Sequence, residues 1–278
     1  MEAAPLLDYL LSFGPEVHFA AFILGSARLM TFALAAPALG NAALEMTARS
    51  ALVLALYLVI HPAMLEAVSA SGLLPLDAAG WVRFAGLLAK EIFIGFALGW
   101  VSGLVFWAFE GAGIFIDNQR GASTASESNP FTGAQSTPTG SFLFQSTTYA
   151  FFASGAFVAM LALIYSTYEW WPAAEFLPAA LFQKEGAALF FGERVAALAA
   201  DIILISAPIV LACLFTDAAL GLINRFASQL NVYVLAMPIK CGIASFLLLI
   251  YFAMLMTDAP QRFAAFGIDV SALKTLSP

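Results

Sequence analysis

Six runs of about twenty or more apolar residues, almost free of charge, set the first limit on what this chain can fold into. They lie near His18–Pro37, Ala48–Leu65, Trp81–Ile116, Phe142–Tyr165, Leu189–Leu222 and Val232–Met256. About 20 such residues span a bilayer as a helix. Lipid offers no water to a strand edge or a coil, so each run is expected to be helical and the fold class all-α. Composition supports the same class: 62% of residues are hydrophobic and 10% charged, against roughly half and a quarter in soluble domains. A chain this poor in polar surface is an integral membrane protein or a subunit covered on most sides by partners. The net charge of -7 gives no basic footprint for nucleic acid, and no basic amphipathic arm is present for anionic lipid. The first nineteen residues are acidic where a cleavable signal peptide carries positive charge. Lys and Arg are spread too evenly to set an orientation.

Inside the apolar runs stand Arg28, Lys90, Glu91, Glu110, Asp201, Asp217 and Lys240. Each charge costs about 2.5–3.5 kcal/mol at a bilayer centre, so they are expected to face protein or water, as buried charges in ion pairs or in a transport path. Gly95, Gly99 and Gly103 recur every fourth residue and predict a stripe for close helix packing. Pro208 and Pro238 each remove an amide donor within a run and predict kinks or breaks. The segment Tyr168–Pro178, rich in aromatics and prolines, is expected as an interfacial elbow. Cys213 and Cys241 are expected as small buried hydrophobes, and His61, before Pro62, as a helix-end residue. There is no HExxH, GxSxG, P-loop or GxGxxG, so neither a metal, a cofactor nor an enzymatic site is expected.

Between two of the runs lies a polar tract, GAGIFIDNQRGASTASESNPFTGAQSTPTGSF, Gly111–Phe142. Unstructured loops beyond about 12–15 residues are uncommon and often functional. Its lead-in reads as helix: Glu110 and Asp117 are seven apart on one face, Arg120 is three beyond Asp117, and Gly121 can end the helix. Asn129-Pro130 and Thr137-Pro138 predict extended or turn backbone, with Gly133 and Gly140 loosening the rest. By composition alone the tract is an exposed linker.

These residues, with a second block from Ser206 to Tyr251, SAPIVLACLFTDAALGLINRFASQLNVYVLAMPIKCGIASFLLLIY, resemble the T subunit of the type III secretion export apparatus. That family contains flagellar FliR-like and virulence SpaR/YscT-like members, and the IDNQRGA wording resembles the virulence branch more. One position departs: Ser228 stands where the family usually has a proline before Gln-Leu-Asn, which puts the local turn geometry in question.

The resemblance implies a single-copy subunit joining five R-type and four S-type subunits in a closed export gate. It further implies contact with the U-type switch and V-type export subunits, and passage of unfolded proteins across the bacterial inner membrane, with the assembly raised toward the periplasm. Residues 1–188 would be the R-type-like part, with a plug loop at about 117–141, and 189–278 an S-type-like helical hairpin. The resemblance assigns plug and gate roles to Asp117, Gln119, Arg120, Gly121, Asn129, Pro130, Phe131 and Gly133, with Phe131 and Phe142 adding apolar closure. It assigns hairpin bend and contacts to Asn224, Arg225, Gln229, Asn231, Pro238 and Lys240. The competing expectation is a self-contained secondary transporter using Lys90, Glu91, Asp201 and Asp217 for ion coupling, which calls for inverted repeats that the sequence does not display. An intramembrane enzyme ranks below both.

Overall fold

The structure is a computed structural model that describes residues 12–40, 44–74, 77–122, 127–129, 133–176, 186–226 and 232–275. Of the residues singled out above, Pro130, Phe131, Ser228, Gln229 and Asn231 lie outside these ranges.

Among the described residues the regular structure is helical apart from two two-residue strands. Helix α1 is Pro15–Ala35, α2 Met46–Ala70 and α3 Ala78–Arg120. Strands β1 (Glu127–Ser128) and β2 (Gln135–Ser136) follow. Then come α4 (Pro138–Ala153), α5 (Ala156–Trp170), α6 (Gly186–Phe226) and α7 (Val232–Thr275). Helices α1, α2, α3, α6 and α7 are each long and apolar enough to cross a membrane, and the bent pair α4–α5 brings the number to six. The all-α class and the six apolar runs are therefore present. The fourth run, however, is broken at Ser154–Gly155.

One boundary corrects the sequence expectations, and at the two prolines, where kinks or breaks were expected, no break forms. Pro208 and Pro238 lie inside α6 and α7 without breaking them. A proline forfeits one ladder bond, and dozens of others remain in helices of 41 and 44 residues. His61 is not at a helix end but in the middle of α2, whose ladder also continues past Pro62.

The chain divides into two compact units. The first holds residues 1–102, 158–187 and 267–278; the second holds 103–157 and 188–266. In the first unit α1 crosses α3 at the predicted glycine stripe. A Cβ on Gly95 would stand 2.3 Å from the Arg28 carbonyl oxygen, and one on Gly99 2.9 Å from that of Phe32. Only glycine admits such an approach. Gly103 is buried on the same helix. The core of the second unit gathers Ile116 of α3 with Ile209, Val210 and Cys213 of α6 and Ala244 of α7. Beside it Phe106, Phe144, Phe151 and Phe263 pack ring on ring.

Candidate functional site

The polar tract begins where α3 stops. Gly121 adopts φ +82°, a conformation that suits glycine. The amides of Gly121 and Ala122 donate to the carbonyls of Asn118 (3.2 Å) and Asp117 (2.9 Å). That pair of bonds is a Schellman cap, and it satisfies carbonyls left free by the helix end.

The side chain of Asp117 works at the same place. It is fully buried and accepts from the amide of Thr139 at 2.8 Å and from its hydroxyl at 2.6 Å. Arg120 closes the ring, 2.6 Å from the Asp117 carboxylate and donating to the Thr139 hydroxyl at 3.0 Å. The end of α3 is thus tied to the start of α4. There Thr137 is the N-cap, its hydroxyl accepting from Gly140 N, and Pro138 takes the first helical position. Capping threonine followed by proline is a strong local start signal. The tie brings a carboxylate to the positive end of α4, where an anion is favoured.

Behind this knot the two helices meet at glycines. A Cβ on Gly113 would stand 2.6 Å from Gly140 Cα and N and 2.7 Å from Thr139 C. Gly140 therefore does not loosen the tract, as expected from sequence; it is a buried helical residue that lets two backbones touch. The non-helical segment is likewise shorter than the 117–141 expected for a plug loop, because 117–120 belong to α3 and 138–141 to α4.

Between the helices the tract makes a small antiparallel ladder, Glu127 opposite Ser136 and Ser128 opposite Gln135. Asn129 N donates to Ala134 O and Gly133 N to Asn129 O, both at 2.8 Å; Gly133 has φ +70°. The Asn129 side chain, fully buried, donates to Glu110 Oε1 at 2.9 Å. Glu110 and Asp117, two turns apart on α3, thus hold different parts of one tract. Gln119 is half-buried on the last turn of α3.

The remaining predicted residues lie elsewhere. Asn224 and Arg225 are exposed at the end of α6, and Pro238 is exposed within α7. Lys240 of α7 pairs with Asp217 of α6 at 3.1 Å. Next to it, Cys241 Sγ lies 3.8 Å from Arg120 O, and Met237 seats against Gly121.

Of the seven charges in the apolar runs, the six besides Lys240 divide into two sets. Arg28, Glu91 and Lys90 are buried. Arg28 Nε and Nη2 donate to the two Glu91 oxygens at 2.6 and 2.9 Å, and its other donors reach Thr167 Oγ1 and Trp171 O. The Tyr168 ring covers the guanidinium at 4.0 Å. Lys90 meets Glu91 at 2.8 Å and donates to the carbonyls of Pro172, Ala173 and Glu175. Glu110, Asp201 and Asp217, by contrast, are half-exposed, because their partners sit at the surface of α6 and α7 or in the tract. Asp201 pairs with Arg262 at 2.6 Å. So each of the four residues a transporter would use for ion coupling already faces an opposite charge.

Four features escaped the sequence reading. Trp171 is buried, and the segment expected as an interfacial elbow wraps Lys90 with the carbonyls of Pro172, Ala173 and Glu175; backbone carbonyls leave no residue signature. Arg49 is buried and donates to the carbonyls of Leu39 and Leu44, although a lone arginine in an apolar run was the available clue. Arg262 bridges Asp201 and Asp258, a pairing the i, i+4 spacing of Asp258 and Arg262 allows. The Gly113–Gly140 contact could not be paired across the tract from spacing.

Residues 19–266 match the bacterial export proteins, family 1. The chain belongs to that family. It is 42% identical over 175 residues to the Yop proteins translocation protein T of Yersinia pestis, covering 63% of this chain and 66% of that one, just under two thirds of its length. It is 29% identical to the surface presentation of antigens protein SpaR of Salmonella typhimurium over 91% of this chain and 92% of that one. With the flagellar biosynthetic protein FliR of Bacillus subtilis it shares 28% over 68% and 71%. Similarity to this family was expected from the two sequence blocks, and both lie within the matched residues.

Proposed function

We propose that this export-family chain is the T-type subunit of a type III secretion export gate in the bacterial inner membrane, a non-enzymatic part of the path for unfolded proteins. The observation that carries the reading is the clasped tract. A neutral polar segment sits between membrane-spanning helices, held at its start by Asp117 on Thr139 and further along by Glu110 on Asn129. Irregular backbone at membrane depth is tolerated where protein buries it or where it lines a wet passage. A Gly/Ser/Thr surface offers a passing polypeptide neither a strong field nor a large apolar patch.

In this reading the tract is the plug, shaped by Asp117, Gln119, Arg120, Gly121, Asn129, Pro130 and Gly133, with Phe131 as a closing side chain. Residues 1–188 are the R-type-like part and 189–278 the S-type-like hairpin, with Asn224, Arg225, Gln229, Asn231, Pro238 and Lys240 at its bend and contacts. R-type and S-type subunits surround the single copy, five and four in number, with the U-type and V-type subunits adjacent. The length of α6 and α7 favours such an assembly. At about 1.5 Å per residue they reach roughly twice a 30 Å hydrocarbon core.

Deleting residues 123–136 leaves both helix ends and the Thr137 cap in place. The expected result is an assembled complex that conducts ions across the membrane at rest. An assembled complex as tight as the parent overturns the plug assignment.

A further inference from the structure

The chain has two histidines, and they meet. His18 in the first turn of α1 and His61 in the middle of α2 lie 43 positions apart, with His18 Nδ1 3.2 Å from His61 Nε2. The rings are tilted 31° with centroids 5.3 Å apart. On the far side of His61, the Tyr57 hydroxyl lies 2.5 Å from Nδ1, one helical turn away on the same face.

Tyr57 is itself fixed. It is buried, its ring meets Phe22 edge-on at 5.3 Å, and it seats over Gly25, where a Cβ would stand 2.7 Å from Tyr57 Cε2. Across the pair, Phe13 packs edge-on to His18 at 6.5 Å. Both imidazoles are therefore held in place by side chains outside the pair.

We infer that His18 and His61 form a binding site for one transition-metal ion of the zinc or copper class, clamping α1 to α2. Two nitrogens bound at about 2.0–2.1 Å to one tetrahedral ion stand about 3.3 Å apart, which is the separation already present. A ligating histidine commonly donates its other ring N–H to a fixed acceptor, which sets the tautomer. Tyr57 Oη is placed to accept from His61 Nδ1–H, leaving the Nε2 lone pair toward His18. Imidazole suits zinc and copper rather than magnesium or calcium. With two protein donors, the other coordination positions go to water, so the ion is exchangeable rather than structural. Nothing in the export reading assigns a role to these residues.

The test uses the full chain in detergent, titrated with Cu2+ and followed by pulsed electron paramagnetic resonance, with Zn2+ competition. The expected signal is one copper per chain coupled to two imidazoles, displaced by zinc. H18Q and H61Q should each lose one imidazole and bind at least tenfold more weakly. Y57F should keep both couplings and bind severalfold more weakly, a readout that folding alone does not move. Zn2+ should raise the melting temperature of the parent and not of the H18Q/H61Q double variant. One-imidazole coupling in the parent, or affinity unchanged in both single variants, overturns the site and leaves a plain histidine–histidine hydrogen bond.

Discussion

Glu91 and Asp117 are both fully buried carboxylates of α3, one in each compact unit, and they are satisfied by different chemistry. Glu91 is matched by side chains: both oxygens face Arg28, and Lys90 adds a second cation. The result joins α1 to α3 and, through Trp171 O and the Lys90 carbonyl contacts, holds the segment after α5. Asp117 is matched mostly by one residue of the next helix, accepting from the Thr139 amide as well as its hydroxyl. A carboxylate paired with a guanidinium from another helix fixes where helices stand, while one paired within its own helix and set on the next helix's first amides fixes where a loop begins and ends. The first knot is expected to govern stability and the second the shape of the tract.

The largest effect should come from breaking the first knot on one side. R28M leaves the Glu91 carboxylate buried with Lys90 alone, and removing one partner of a buried pair costs about 3–5 kcal/mol. Unfolding in detergent should show that loss, and R28M/K90M/E91M should recover part of it, since an apolar set strands neither the anion nor the Lys90 cation. A loss in R28M below about 1 kcal/mol would end the distinction drawn between the two carboxylates.

Next come the two glycine contacts. In both G95A and G113A the new methyl meets backbone that cannot swing away, at 2.3 Å and 2.6 Å, and overpacking costs about 1–3 kcal/mol. The comparison predicts different consequences from similar costs. G113A pushes α3 from the start of α4 and should raise resting ion leak through the assembled complex. G95A separates α1 from α3 and should lower stability without leak.

D117N is smaller in stability than R28M and sharper in kind. The amide keeps one acceptor for Thr139 and loses the charge facing Arg120, and hydrogen bonds to charged groups contribute about 1.5–3 kcal/mol. Leak should rise while the melting temperature falls less than in R28M. An equal fall in both, with no leak, would make Asp117 a second Glu91.

How far these sites could be read in the sequence follows from where their partners come from. The spans were legible because lipid demands a long apolar run, and the Asp117–Arg120 pair because three positions on a helix bring side chains together. The Schellman turn announced itself through Gly121. Partners supplied by backbone left no trace: the carbonyls around Lys90 belong to Pro172, Ala173 and Glu175, whose side chains suggested a membrane surface. The β1–β2 ladder is two residues per strand, too short for alternation to register. Arg28 and Glu91 were visible as charges in apolar runs, but their union spans 63 positions, and charge alone does not choose a partner.

The smallest expected effect tests the weaker of the two holds on the tract. Glu110 is half-exposed and receives one hydrogen bond, from Asn129. An amide oxygen in its place accepts the same bond, so E110Q should change stability by less than about 0.5 kcal/mol, the usual range for surface changes, and leave the complex tight. E110A removes the acceptor of a bond from the buried Asn129 side chain, and a typical hydrogen bond contributes about 0.5–1.5 kcal/mol. That cost falls on the short ladder rather than on the helices, so it should appear as leak before it appears as unfolding. Leak in E110A but not in E110Q would assign the hold to a hydrogen bond. Equal leak in both would assign it to the negative charge, and the tract would then be held at Glu110 and at Asp117 by the same electrostatic means.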